Sequence, residues 1–245
     1  MGAINFSLDE NLATLLAREL SIKIFVETGA FHGDTLEMAR RHFSDCRSVE
    51  MSPELCEKVR ARFADQPNIK VHLSDSPAFL RSQSDELASK PVLFWLDAHW
   101  CQAEQTSGGN SQSPLLGELS AIRSLHADSV ILIDDARLYL CAPPLPHNCK
   151  DWPDFHSVIT ALLALSSQHR LMIFNDVIIF HPARISAAMF DFSHRNGADL
   201  LLINHLRQAC EARERERQGR RFPSVNFFRH LVGIRDQNSS GHASH

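Results

Sequence analysis

Apolar runs and amphipathic stretches alternate along the first 135 residues. The runs are KIFVE, ending at Glu27, CRSVE at Glu50, IKVHLSD at Asp75, PVLFWLD at Asp97 and SVILIDD at Asp134 and Asp135. Each is short and closes on a carboxylate. The stretches between them carry apolar residues at three- and four-residue spacing, which is one face of a helix. The pattern predicts strands over 23–27, 46–50, 69–74, 91–97 and 129–134. It predicts helices over 34–43, where Leu36, Ala39 and Phe43 share a face, over 53–63, about 77–88 and about 114–125. An amphipathic helix over 7–20, capped by Ser7 or Asp9, precedes them. Ser52-Pro53, Ser76-Pro77 and Ser113-Pro114 open three of the helices. Serine suits the cap, and proline suits the first turn, where its missing N–H costs nothing.

Beyond residue 135 the pattern changes. Residues 138–153, with four prolines, read as an irregular flap, followed by a helix near 154–166. RLMIFNDVIIFHP is two apolar runs joined by Asn175-Asp176, a tight-hairpin signal. The sheet therefore closes with an antiparallel pair, for seven strands. Residues 199–218 predict a helix with Glu211–Arg215 and Glu216–Arg220 at i,i+4 spacing, a solvated face. The expected division is one domain over 1–182, a helical extension over 183–235 packed on it, and a disordered tail over 236–245. Phe222 to Ile234 reads as a short packing or dimer segment.

This is an α/β pattern: a doubly wound, Rossmann-like sheet with helices on both faces. Ligands bind such sheets in the crevice at the carboxyl ends of the strands. Five strand ends thus deliver Glu27, Glu50, Asp75, Asp97, Asp134 and Asp135 to one rim. Acids there can hold ribose hydroxyls, an ammonium group or a divalent cation.

Composition narrows the partners. The 245 residues are 44% hydrophobic and 22% charged, with net charge −4 and a pI near 6.4, which gives no electrostatic case for nucleic acid. No apolar run reaches the roughly 18 residues of a membrane span. MGAINFSLDE lacks a basic region followed by an apolar core, so no secretory signal is expected. Six scattered cysteines with no Cys-x-x-Cys pair suit reduced thiols in the cytoplasm. Cys141, His147 and Cys149, with His156 nearby, match no closed zinc module in spacing. A homo-oligomer is compatible with the chain.

Glu27-Thr-Gly-Ala-Phe-His-Gly33 joins the first strand to the first following helix. Gly29 lets a ligand approach the backbone, and the helix offers free N–H groups. The spacing is not the Gly-x-Gly-x-x-Gly of dinucleotide sites. Glu50, closing the second strand, is placed to accept ribose hydroxyls, and Asp75-Ser76 to meet an adenine edge.

ETGAFHGDT, SVEMSP, LSDS, FWLDAHW and LIDDAR, in that order, resemble the motifs of class I S-adenosylmethionine-dependent methyltransferases. The nearest groups are the metal-dependent catechol-type O-methyltransferases and the macrocin O-methyltransferase and cephalosporin hydroxylase group. The resemblance covers about residues 20–182. It implies strand order 3-2-1-4-5-7-6 and methyl transfer to a hydroxyl of a small molecule or sugar. It implies that Gly29, Phe31 and Thr35 line the methionine side of the cofactor, with Glu27 and Asp97 beside it. Glu50 would hold the ribose, Met51 pack on the adenine, and Asp75 and Ser76 meet its edge. Asp97, Asp134 and Asp135 would hold a divalent cation such as Mg²⁺. The catechol pattern has Asp-Asn where this chain has Asp134-Asp135, and a base lysine where this chain has none. His99 is the natural substitute, since imidazole takes a proton near neutral pH. Trp100, Tyr139 and Trp152 have two readings, an aromatic wall for the acceptor and packing under the flap. A nicotinamide-dependent oxidoreductase and a non-catalytic cofactor-binding module are the alternatives.

Overall fold

A computed structural model describes residues 8–100 and 111–221. Its chain opens on α1 (Glu10–Leu20), capped by the Asp9 carboxylate, which accepts the Leu12 N–H at 2.8 Å. Ser7, the other expected cap, lies outside the described residues.

The sheet has seven strands in the order β3-β2-β1-β4-β5-β7-β6. These are β1 (Ile24–Thr28), β2 (Asp45–Glu50), β3 (Ile69–Leu73), β4 (Val92–Leu96), β5 (Val130–Ile133), β6 (His169–Phe174) and β7 (Val177–Pro182). β1 to β5 are parallel, and β7 runs antiparallel to both β5 and β6. Asn175 and Asp176 turn the β6–β7 hairpin with φ of 46° and 73°, the left-handed pair that a two-residue turn requires.

Every residue of β1, β4 and β5 is buried, as continuous apolar runs in a doubly covered sheet should be. One face packs Phe25, Trp95 and Leu132 against α1, α2 (Asp34–Ala39), α3 (Pro53–Arg62) and α8 (Ser186–Asn196). The other packs Val26, Phe94 and Ile131 against α4 (Ser76–Ala88), α5 (Leu115–Ile122), α6 (Arg137–Leu140) and α7 (Phe155–Leu165).

The sequence pattern overran three details. α2 ends at Ala39 instead of residue 43, although Phe43 is still buried beside Phe25. The expected flap contains α6 and a 3₁₀ turn at Cys149–Asp151. Only one Ser-Pro pair caps as expected: the Ser52 hydroxyl accepts from Leu55 N. Ser76 lies inside α4, and Pro114 takes the position before α5. Both serine hydroxyls have other partners, described below.

Two compact units divide after Gly197, beyond the expected boundary at 182, so α8 belongs to the first unit. The second holds α9 (Leu200–Arg221), with Glu211 and Arg215 paired at 3.4 Å. The side chains of the second expected pair, Glu216–Arg220, and the segments expected over 222–245 lie outside what is described.

Candidate active site

Parallel pairing puts the carboxyl ends of β1 to β5 on one edge of the sheet, and the acids follow. β1 ends in Glu27 and Thr28, β2 in Glu50, β3 runs on to Asp75, β4 to Asp97, and β5 to Asp134 and Asp135.

The β1–α2 loop is shaped by Gly29. Its φ is +83°, and a Cβ there would lie 2.5 Å from the Asp97 carbonyl oxygen. The β1 and β4 ends are therefore pressed together where side chains could not fit. The loop is also tied to β2: Glu50, buried, accepts the Phe31 N–H at 3.0 Å through one oxygen and the Ser52 N–H at 2.8 Å through the other. A carboxylate has about four acceptor positions, so each oxygen keeps one for a further donor. Met51 next to it is exposed, and so is Asp75, whereas Ser76 is buried. Thr35 at the start of α2 hydrogen-bonds to Glu27. His32 is a loop residue whose ring lies 3.9 Å from that of Phe31, centroid to centroid.

Glu27 is buried and accepts the Ser48 hydroxyl proton at 2.6 Å. Burial pushes its pKa up to about 8 against the pull of Ser48, and the charges of Asp97 and Glu50 add to the rise. β1 pairs in parallel with β2 on one side and β4 on the other, so the acids that end those two strands flank Glu27 on one rim.

On the β4–β5 side, ligand atoms of Asp97, His99 and Asp134 lie within 4.8 Å of one another, the one group among the described residues able to hold a metal ion. Burial raises the Asp134 pKa, and the charges of Asp97 and Asp135 reinforce it. Asp135, an expected cation ligand, is placed differently. It adopts φ +54° and turns its carboxylate onto Arg137, 2.6 Å away. Arg137 also pairs with Asp176 of the hairpin turn, whose carboxylate accepts the Arg137 N–H at 2.8 Å. The zinc-like residues Cys141, His147, Cys149 and His156 form no such group.

His99 sits between acids. Its Nε2 is 3.2 Å from Asp97 Oδ1 and 3.3 Å from Asp135 Oδ2, and its Nδ1 is 3.2 Å from the Trp100 carbonyl oxygen. Burial opposes charge on the ring, but the two carboxylates outweigh it and the pKa is raised. With Nδ1–H donating to that carbonyl, a neutral ring would aim the Nε2 lone pair at two carboxylates. A proton or a cation between them removes the conflict.

Aromatic rings lead from this cluster to the flap. Trp152 lies 5.6 Å from His99, 5.4 Å from Tyr139 and 5.3 Å from His147, and His147 lies 5.4 Å from Trp100. Gln112 Oε1 anchors the flap by accepting from Trp152 Nε1 and Asn148 N. The three aromatics expected at the wall are thus in one connected group.

One buried acid has no counterpart in the sequence reading. Glu118 of α5 is buried, with its pKa pushed up to about 7 mainly by burial. The signal was present: Glu118 fills a core-facing slot among Leu115, Leu119 and Ile122, all buried.

No protein-family model and no curated protein sequence matches the chain. Solved structures do resemble it. A candidate caffeoyl-CoA O-methyltransferase from Staphylococcus aureus is 10% identical with a TM-score of 0.50, covering 74% of this chain and 86% of that one. A candidate methyltransferase from Streptococcus mutans in complex with S-adenosylhomocysteine (10%, TM-score 0.49) covers 71% of this chain and 96% of its own. An S-adenosylhomocysteine-bound methyltransferase from Podospora anserina (15%, TM-score 0.47) covers 71% and 77%. The chain has the class I methyltransferase fold, with its strand order and reversed seventh strand.

Proposed function

We propose that this chain transfers a methyl group from S-adenosylmethionine to a hydroxyl oxygen of a small molecule or sugar, with a divalent cation at Asp97, His99 and Asp134. The single rim carries the reading. Glu50 and its loop occupy one half, the Asp97–His99–Asp134 group occupies the other, and Glu27 lies on the strand between them.

The residues fit the nucleoside. Gly29 keeps the rim free of a side chain, the Glu50 oxygens retain acceptor capacity for ribose hydroxyls, and exposed Met51 offers a thioether to a purine face. S-adenosylmethionine supplies its methyl group from a sulfonium centre. The donor set also fits a cation: two carboxylates suit magnesium, and the imidazole extends the range to manganese. Such an ion lowers the pKa of a bound hydroxyl.

The chain's own residues then hold geometry. The Asp97 N–H is bonded at 3.2 Å to both the carbonyl and the hydroxyl oxygen of Thr28, which fixes the β4 end against β1. The sequence suggested His99 as the base. Its setting favours a ligand role: with Nδ1 held 3.2 Å from the Trp100 carbonyl oxygen, the neutral ring would turn its Nε2 lone pair toward Asp97, where a cation rather than the acceptor's proton would meet it. Trp100 and Trp152 border the approach from the flap.

Titration calorimetry with S-adenosylhomocysteine, S-adenosylmethionine and NAD, followed by incubation of labelled cofactor with a metabolite pool, tests the reading. Binding of the sulfur nucleosides and transfer of label support it. Binding of NAD alone turns the chain into a nicotinamide enzyme, and binding without transfer makes it a cofactor-binding module. Undiminished transfer in excess chelator removes the cation.

A further inference from the structure

The Glu118 carboxyl is buried among apolar residues of α5 yet joins two parts of the rim. The hydroxyls that act on its charge are those of Ser76, in the first turn of α4, and Thr28, at the end of β1. Its Oε1 is buried with no hydrogen-bond partner among the described residues. The preceding Gly117 permits the close packing: a Cβ there would lie 3.1 Å from Pro77 Cγ, so α5 presses directly on the start of α4. Thr28 accepts the Asp97 N–H through the same hydroxyl. Glu118 therefore lies beside Ser76 and Thr28, and Thr28 in turn holds the Asp97 backbone. Burying an acid in a helix core disfavours folding unless it is well partnered, and leucine would fill the slot at lower cost.

We propose that Glu118 is a positioning residue that holds the start of α4 and the Asp97 backbone in one register, so that the nucleoside half and the cation half of the rim meet the same cofactor molecule. This rests on the cofactor reading given above. Glu118 touches neither cofactor nor acceptor in this role; it acts through Ser76 and Thr28.

The test is calorimetry with S-adenosylhomocysteine on the full chain, with an unfolding midpoint measured for every variant. Glu118→Leu keeps the volume and removes both acceptor oxygens; it should bind about tenfold more weakly with no loss of unfolding midpoint. Glu118→Gln retains an acceptor oxygen and should stay within about threefold of wild type. Thr28→Val should weaken binding about as much as Glu118→Leu, and the double variant no further, because both cut one path. Wild-type affinity in Glu118→Leu, or additive losses in the double variant, would overturn the inference. Should Glu118→Leu not fold, Thr28→Val combined with Ser76→Ala gives the same reading, coupled losses supporting it and additive ones overturning it. A wild-type chain that binds no S-adenosylhomocysteine overturns the cofactor reading and this inference together; binding by wild type and equally by Glu118→Leu overturns the inference alone.

Discussion

Glu50 and Phe31 are joined across the β1–α2 loop by a 3.0 Å hydrogen bond from backbone N–H to carboxylate. The same side chain that would meet the ribose therefore also shapes the loop that would meet the methionine portion. Glu50→Gln preserves one acceptor oxygen but replaces the other by a donor amide, which faces an N–H in either orientation. It should weaken S-adenosylhomocysteine binding by about ten- to a hundredfold, since hydrogen bonds to charged groups are the stronger kind. Calorimetry checks this. Affinity within twofold of wild type would remove Glu50 from the cofactor site.

Gly29→Ala tests the contact of β1 with β4. Alanine at φ +83° is strained by about 1–3 kcal/mol, and its methyl group would also lie 2.5 Å from the Asp97 carbonyl oxygen. The variant should lower the unfolding midpoint and also lose nucleoside affinity in the folded fraction, because the β4 end must retreat. Urea titration with and without S-adenosylhomocysteine separates the effects; unchanged stabilisation by ligand would show that the close approach does not serve binding.

The architecture was legible because its elements carry local signals. Buried central strands wrote themselves as VLFWL and VILI, and Asn175-Asp176 marked the turn that reverses β7. Glu50, Asp97 and Asp134 could be read because parallel strands place their last residues on one edge whatever the details of packing. Other features depended on packing that no single segment encodes. Ser113 looked like a cap, yet its hydroxyl lies 3.3 Å from Tyr139 Oη. Asp135 reads as a third cation ligand in the sequence; only the fold shows that its left-handed backbone turns one carboxylate oxygen onto Arg137, which also binds Asp176 of the hairpin, while the other stays 3.3 Å from His99 Nε2. Glu118 stands at a core-facing position that its own helix already shows, but which groups it meets there depends on the packing of α4 on α5. His99 was visible as titratable, but only the convergence of two strand ends shows it caught between carboxylates.

Glu27 makes stability depend on pH in a predictable direction. Its folded pKa of about 8 stands above the ordinary 4.5. The stabilisation from the neutral folded acid is full below about pH 4.5 and lost as pH rises toward 8, because the unfolded chain gives up its proton first. Glu118, raised to about 7, acts in the same sense over a narrower window. One such group gives a slope of at most about 1.4 kcal/mol per pH unit. Urea midpoints should therefore fall between pH 5 and 8 in wild type, and fall less steeply in Glu27→Gln. Parallel curves for the two proteins would show that Glu27 ionises normally in the fold.

Asp134 should trade stability for function. It is buried beside Asp97 and Asp135, and both burial and their charges raise its pKa. Asp134→Asn removes the charge that those neighbours repel while keeping the shape. Without divalent cation the variant should be more stable than wild type by about 1–2 kcal/mol at pH 8, where wild-type Asp134 has its largest burden of charge. With Mn²⁺ the order should reverse, because an ion that binds only the folded wild type stabilises it in proportion to the logarithm of its concentration, and asparagine lacks the charge to hold it. Thermal unfolding in chelator and in millimolar Mn²⁺ measures both arms, and methyl transfer should be lost in the variant under either condition. Equal stabilisation of both proteins by Mn²⁺ would place the ion elsewhere than at Asp97, His99 and Asp134.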